Sequence, residues 1–200
     1  QASGELDNTI VVVTSDNGPW FEGSTAGLRD RKGGAGWEGG YRVPFLARQP
    51  GRIPAGLISD SMAMNIDLLP TLARWTGLPV PSAQLDGADI SSLLTLRAAP
   101  SPHDELIFFI NEDVAAIRTQ RYKLVVRSFY RSLLAPLDTR DDWQVLVDLQ
   151  NDPEESYDVS SRHPDVLADL TARLGRARAT FDPLKTPAVA TPPAATTSRG

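Results

Sequence analysis

The run NTIVVVTS, residues 8–15, narrows the possible folds more than any other stretch of this chain. Its apolar residues are β-branched and continuous rather than alternating. That is the signature of a strand covered on both faces, as in the parallel sheet of an α/β protein. The run stops at DNGP, residues 16–19. Open α/β sheets bind ligands beyond the carboxyl ends of their strands, so Asp16 and Asn17 stand where a ligand is expected. A carboxylate and an amide carbonyl are hard oxygen donors that suit Ca²⁺ or Mg²⁺. The same residues are also good turn formers, because Asx side chains fold back on their own backbone. Two oxygens fall short of the six or more that Ca²⁺ takes, so a metal here needs further carboxylates, expected from outside this chain.

Residues 17–40 form a long, glycine-rich stretch. A loop of that length inside a compact domain is functional or disordered, and Trp20, Phe21 and Trp37 argue against disorder. Aromatic anchoring of the loop is the expected role of Trp20 and Phe21. Lys32, flanked by glycines in RDRKGGAGWEGG, can bring its ammonium to an anion while backbone amides approach too; a solvated surface lysine is the plainer reading. Arg29 and Arg31 lie close by in sequence, so a basic loop adjoins an acidic strand end. That suits a dianionic ester held between a cation and a lysine.

Further along, YRVPFLARQP reads as a second strand, with Pro44 at its beginning, an edge or a bulge. Residues 67–77 read as a helix: Asp67 caps it, Pro70 lies in the first turn, Gly77 ends it, and Leu68, Leu69, Leu72 and Trp75 recur at helical spacing. LDGADISSLL is a turn leading into a short helix. After the Pro-rich break at 100–102 come ELIFFI, VAAIRT, YKLVVRS and WQVLVDL, short strands between polar turns, as in an antiparallel meander. A helix then opens near Pro164 with Val166, Leu167, Leu170 and Leu174 on one face. His103, after a Pro-rich linker, is expected to be exposed, and His163 to cap that helix. The expected organisation is an α/β core part over 1–99, a small antiparallel-sheet and helix unit over 100–185, and a flexible Pro/Ala/Thr-rich tail over 186–200.

Composition removes several classes of function. The net charge of −5 provides no basic field for nucleic acid. No apolar stretch approaches the roughly 20 residues of a membrane span. With no cysteine there are neither disulfides nor thiolate metal sites. The chain opens at Gln1 without Met or a signal-like segment, from which a piece of a longer protein is expected.

The segments NTIVVVTSDNGP, KGGAGWEGGYRVPFLARQPGRIPAG, IDLLPTLARWTGLPVP, LDGADISSLL, AIRTQRYKLV and VDLQNDPEESYDVS resemble, in this order, the C-terminal part of the type I sulfatases. These are the arylsulfatases and carbohydrate sulfatases of the alkaline-phosphatase-like superfamily. The resemblance implies a partial alkaline-phosphatase-like α/β sheet followed by a small α+β subdomain. It makes Asp16 and Asn17 one pair of ligands to an active-site Ca²⁺, with Mg²⁺ as the alternative ion. Lys32 becomes the lysine that contacts the sulfate group and helps stabilise the leaving oxygen. Glu38, Gly39, Gly40 and Arg42 match an EGG-x-R segment read as a scaffold for the lysine loop, with a Glu38–Arg42 pair ordering it.

The implied reaction is sulfate-ester hydrolysis. A formylglycine made from Cys or Ser in a C/S-x-P/A-x-R motif attacks sulfur, a metal polarises the sulfate oxygens, and Lys32 offsets developing charge. That motif is not found in these 200 residues; Ser24 in STAGLR comes nearest, with its arginine one place too late. The expected partners are a sulfated small molecule or carbohydrate and the N-terminal part of the same protein. This chain alone is expected to turn over nothing at a useful rate. A phosphonate or phosphodiester hydrolase of the same superfamily is one alternative; Asn17, where two-zinc members place a histidine, speaks against the zinc type. A non-catalytic remnant or interaction module is the other. The compartment stays open, with export or the periplasm compatible with the resemblance.

Overall fold

The computed structural model describes residues 4–34, 36–80, 84–128 and 143–186. The expected tail from 187 onward lies outside them. The molecule is α/β, with two antiparallel sheets. Strand β1 (Val11–Val13) pairs with β2 (Leu46–Arg48), Val12 opposite Ala47. Strands β3 (Leu106–Ile110), β4 (Asp113–Arg118), β5 (Tyr122–Val125) and β6 (Val145–Asp148) form a second sheet in chain order. The helices are α1 (Glu38–Tyr41), α2 (Leu68–Thr76), α3 (Ser91–Thr95) and α4 (Pro164–Phe181).

The four-stranded meander follows the sequence pattern closely. Its strands are buried on both faces, and the alternation sorts their side chains into two cores. Leu124, Val126 and Leu146 pack with Val114 and Ile117 against Leu170, Leu174 and Ala177 of α4, joined by Val166 and Leu167. A bulge at Phe108/Phe109 lets Val114 and Ile117 share this face although they are three residues apart. On the opposite face Phe108, Ala116, Val125 and Val147 pack against Trp37, which is 1% exposed. The glycine-rich loop thus covers the sheet on the side away from α4.

The first strand differs from expectation in its pairing. It is three residues long, antiparallel to its partner, and partly exposed: Val11 is 40% and Val13 55% accessible. Its β-branched run suits burial, yet Val11 and Val13 stay open to solvent. Leu46 of β2 and the neighbouring Phe45 are exposed as well. This is the apolar surface expected of strands that belong to a larger sheet. In α2 the buried residues are Pro70, Thr71 and Ala73, while Leu69 points to solvent. Gly77 ends this helix in the left-handed conformation, φ 70°.

Both histidines depart from expectation. Nε2 of His103 lies 2.9 Å from each oxygen of Asp67, whose side chain is fully buried. Asp67 stands at the N-cap position of α2 but makes no side-chain capping bond there. Its carboxylate takes the backbone N–H groups of Met64 (2.6 Å) and Ala88 (2.8 Å), bracing the 3-10 turn Asn65–Asp67 that precedes the helix. An acceptor with two oxygens and no solvent needs several donors, and His103 completes the set. His163 occupies the N-cap position of α4 without a side-chain capping bond, and its ring lies 5.4 Å from that of Tyr122.

Candidate functional site

The loop after β1 folds back on itself. The N–H of Gly18 donates to Gly40 O (2.9 Å), that of Lys32 to Pro19 O (3.0 Å), and that of Gly39 to Arg29 O (2.8 Å). The two limbs approach so closely that a Cβ on Gly18 would stand 1.9 Å from Gly39 O. Glycine is required there by space, not by dihedral angle. The result is that the Lys32 backbone returns to within one hydrogen bond of Pro19, three residues past Asp16.

Asp16 is exposed and Asn17 half-buried at the end of β1. Nδ2 of Asn17 lies 2.5 Å from Asp16 Oδ2, and Ser15 Oγ approaches Asp16 Oδ1. Asn65, reaching over from the 3-10 turn, donates through Nδ2 to Ser15 O (2.8 Å) and fixes this strand end. Lys32 is exposed, and its ammonium has no hydrogen-bond or ion-pair partner among the described residues. The donor set of Asp16 and Asn17 is all oxygen and suits a hard cation. Among the described residues no group of three or more His, Cys, Asp or Glu gathers to hold a metal. The two side chains therefore fit Ca²⁺ as part of a coordination shell, not as a whole one.

Behind the loop lies a buried charge cluster that sequence reading missed. The register sets Arg118 of β4 directly opposite Lys123 of β5, and Lys123 is fully buried. Like charges facing each other across two strands are destabilising, and a carboxylate resolves this. Oε2 of Glu38 accepts from Arg118 Nη1 (2.7 Å), while Oε1 accepts from Lys123 Nζ (3.0 Å). Lys123 also lies 2.8 Å from Glu155 Oε1, and Glu155 Oε2 accepts the backbone N–H of Glu38 (2.7 Å). Burial pushes the Glu38 carboxyl up, but Lys123 and Arg118 outweigh it and hold the group below 4.5. At Glu155 burial prevails, and its carboxyl is raised.

The expected Glu38–Arg42 pair is not formed. Arg42 gives its backbone N–H to Glu38 O (2.7 Å), but the Glu38 carboxylate is turned inward to the sheet cations and Arg42 is exposed. The anchoring aromatic is Trp37, with the guanidinium of Arg29 3.7 Å above its ring and its Nε1 donating to Ser128 (3.3 Å). Trp20 and Phe21, 40% and 60% exposed, instead pack edge-on against each other, and Arg31 lies 4.6 Å from the Phe21 ring. One sequence signal was available for the cluster: a lysine flanked by Tyr122 and the run Leu124–Val126 is out of place in a buried strand unless a carboxylate meets it.

The end of β1 thus presents an acid–amide pair, and the glycine-rich loop returns the Lys32 backbone to Pro19, three positions past Asp16. Residues 1–78 match the sulfatase family model. Human arylsulfatase A is 36% identical over 84% of this chain, which corresponds to 37% of that enzyme. The PsFucS1 sulfatase of Pseudoalteromonas superimposes with a TM-score of 0.79 at 26% identity, over 90% of this chain and 39% of the other. BT4656, solved in complex with its substrate D-glucosamine-2-N,6-O-disulfate, gives a TM-score of 0.63 at 26% identity, over 91% of this chain and 36% of the other. The chain belongs to the sulfatase family, and it spans well under half the length of these relatives.

Proposed function

We propose that this chain supplies the charge-stabilising side of a sulfate-ester hydrolase site. The observation that carries the reading is the loop closure at Lys32. The loop returns the backbone of Lys32, whose ammonium has no partner among the described residues, to Pro19, next to the strand end that bears Asp16 and Asn17. Lys32 donates hydrogen bonds to the sulfate group and to the oxygen that gains charge as the ester bond breaks. Loss of one such donor costs about 10²–10³ in kcat. Asp16 and Asn17 would hold Ca²⁺, or Mg²⁺, together with carboxylates from outside the chain. When bound, that ion supplies Lewis-acid polarisation of the sulfate oxygens. The complex of BT4656 with a sulfated glucosamine supports a sulfated carbohydrate as the substrate class.

The test is hydrolysis of p-nitrophenyl sulfate and p-nitrophenyl phosphate by this chain produced together with a segment carrying the C/S-x-P/A-x-R motif. Sulfate turnover is expected to exceed phosphate turnover, and Lys32→Ala to lower kcat by about 10²–10³. A sulfatase indifferent to Lys32→Ala overturns the role of the lysine. A preference for phosphate points to the phosphohydrolase alternative, and absence of all turnover to the non-catalytic one.

A further inference from the structure

The segment that carries Lys32 has little regular structure, yet it must hold an ammonium in place. Beyond the hydrogen bonds that the loop makes within itself, its restraints from residues distant in sequence converge on Glu155. The backbone carbonyl of Glu155 accepts from Arg29 Nη1 (2.6 Å), and its carboxylate accepts from the N–H of Glu38 (2.7 Å). Arg29 and Glu38 bracket Lys32 in sequence, so one residue staples both ends of the lysine-bearing segment. Glu155 reaches both by adopting a left-handed backbone, φ 56°, uncommon for a residue with a side chain. Lys123, fully buried and within ion-pair distance of Glu38 and Glu155, fixes the spacing between the staple and the loop.

We infer that Arg29, Lys123 and Glu155 are positioning residues for Lys32, acting through the 29–38 segment from the four-stranded sheet. The claim rests on the reading of Lys32 as the anion-contacting group, but the mechanical coupling stands or falls separately. Stability alone does not account for the cluster. Buried ion pairs replaced by well-packed apolar side chains are often neutral or stabilising, and this face of the sheet is otherwise apolar, with Phe108, Ala116, Val125 and Val147. An apolar side chain at 123 would fill the space without holding two carboxylates at a set separation. Stapling also removes conformational freedom that an open loop would otherwise lose when it binds an anion.

The experiment is residue-resolved amide hydrogen exchange on the 200-residue chain, comparing wild type with Arg29→Ala, Arg29→Lys and Lys123→Met. Arg29→Ala is expected to speed exchange at the Lys32 and Gly39 amides at least tenfold with the protected amides of β4 and β5 unchanged, and Lys123→Met to speed it at those two amides at least tenfold more than in β4 and β5, which share the loss of the buried pair. Arg29→Lys, which keeps a donor for Glu155 O and a cation over Trp37, is expected to retain most of the protection. Should Lys123→Met fail to fold, Arg29→Ala, at a half-buried loop position, decides the question. Wild-type exchange at Lys32 and Gly39 in Arg29→Ala, or acceleration no greater than in β4 and β5, overturns the inference. Turnover assays judge the chemistry assigned to Lys32, whereas exchange judges the coupling whether or not turnover is found.

Discussion

Glu38→Gln removes one charge from the centre of the cluster and leaves shape almost unchanged. The side chain is 3% exposed and lies between two cations set opposite each other across β4 and β5. An exposed pair would contribute about 0–1 kcal/mol. Breaking a buried pair by removing one partner costs about 3–5 kcal/mol, because the remaining charge is left uncompensated. The glutamine oxygen still accepts one hydrogen bond and Glu155 still faces Lys123, so the lower end, about 3 kcal/mol, applies here. With a urea dependence of about 2.5 kcal/mol per molar, the unfolding midpoint should fall by about 1.2 M. Arg42→Ala, the control, should change stability by less than about 0.5 kcal/mol.

The same variant carries a pH signature. A carboxyl held below 4.5 in the folded state contributes stability that is present above 4.5 and lost as pH falls through its folded value. The gap between wild type and Glu38→Gln should therefore narrow below pH 4.5. Glu155 acts with the opposite sign: its penalty is fully present above its raised value and is relieved as pH falls toward 4.5. Urea titrations followed by circular dichroism at neutral pH and near pH 4 measure both effects. A midpoint shift under about 0.4 M at neutral pH, equivalent to about 1 kcal/mol, would put the cluster in the class of surface pairs and refute the reasoning.

Two glycines should respond in opposite directions. Gly18→Ala forces a methyl against Gly39 O and is expected to cost about 1–3 kcal/mol, whereas Gly175→Ala in α4, with open space around it, should gain about 0.5–1 kcal/mol; thermal unfolding of the two variants checks the pair. Asp148, at the end of β6, is held down to about 2, chiefly by the paired hydrogen bonds of Arg121 Nε (3.0 Å) and Nη2 (2.7 Å). Its stabilisation is present above 3.8 and is lost as pH falls from 3.8 to about 2. A carboxyl-carbon NMR titration should give a midpoint near 2, and Asp148→Asn should abolish that step in acid unfolding.

Much of the C-terminal half was legible because its signals are local. Short strands between polar turns and the stripe Val166, Leu167, Leu170 and Leu174 report their own neighbours along the chain. The pairing of β1 was not legible: its run suits a parallel sheet, yet it pairs antiparallel with β2, a neighbour set by the rest of the fold and not by the strand. Asp16, Asn17 and Lys32 were singled out from their residue types alone, and the loop closure brings the Lys32 backbone to Pro19, three positions past Asp16. The partner of Glu38 was hidden by distance: Arg118 and Lys123 lie 80 and 85 positions away, and Glu155 lies 117 away. Arg42, near in sequence, was the natural choice, and the turn of α1 faces it elsewhere.

The cluster behind the loop pairs two carboxylates with two cations, so it contributes no net charge at the strand end. Lys32 is the reverse, an exposed charge with no partner among the described residues. Substitution of Lys32 therefore changes the field felt by an incoming anion with the scaffold intact. A neutral exchange within the cluster changes where the ammonium stands while leaving the field nearly as it was. Field effects on association fall with ionic strength, because charges separated by more than about 8–10 Å are screened in physiological salt. Errors in position at close range are screened far less. Loss of Lys32 should then flatten the salt dependence of substrate capture, whereas the charge-conserving exchange Arg29→Lys should leave that slope as in the wild type. Parallel slopes in the Lys32→Ala and wild-type enzymes would contradict this division of labour.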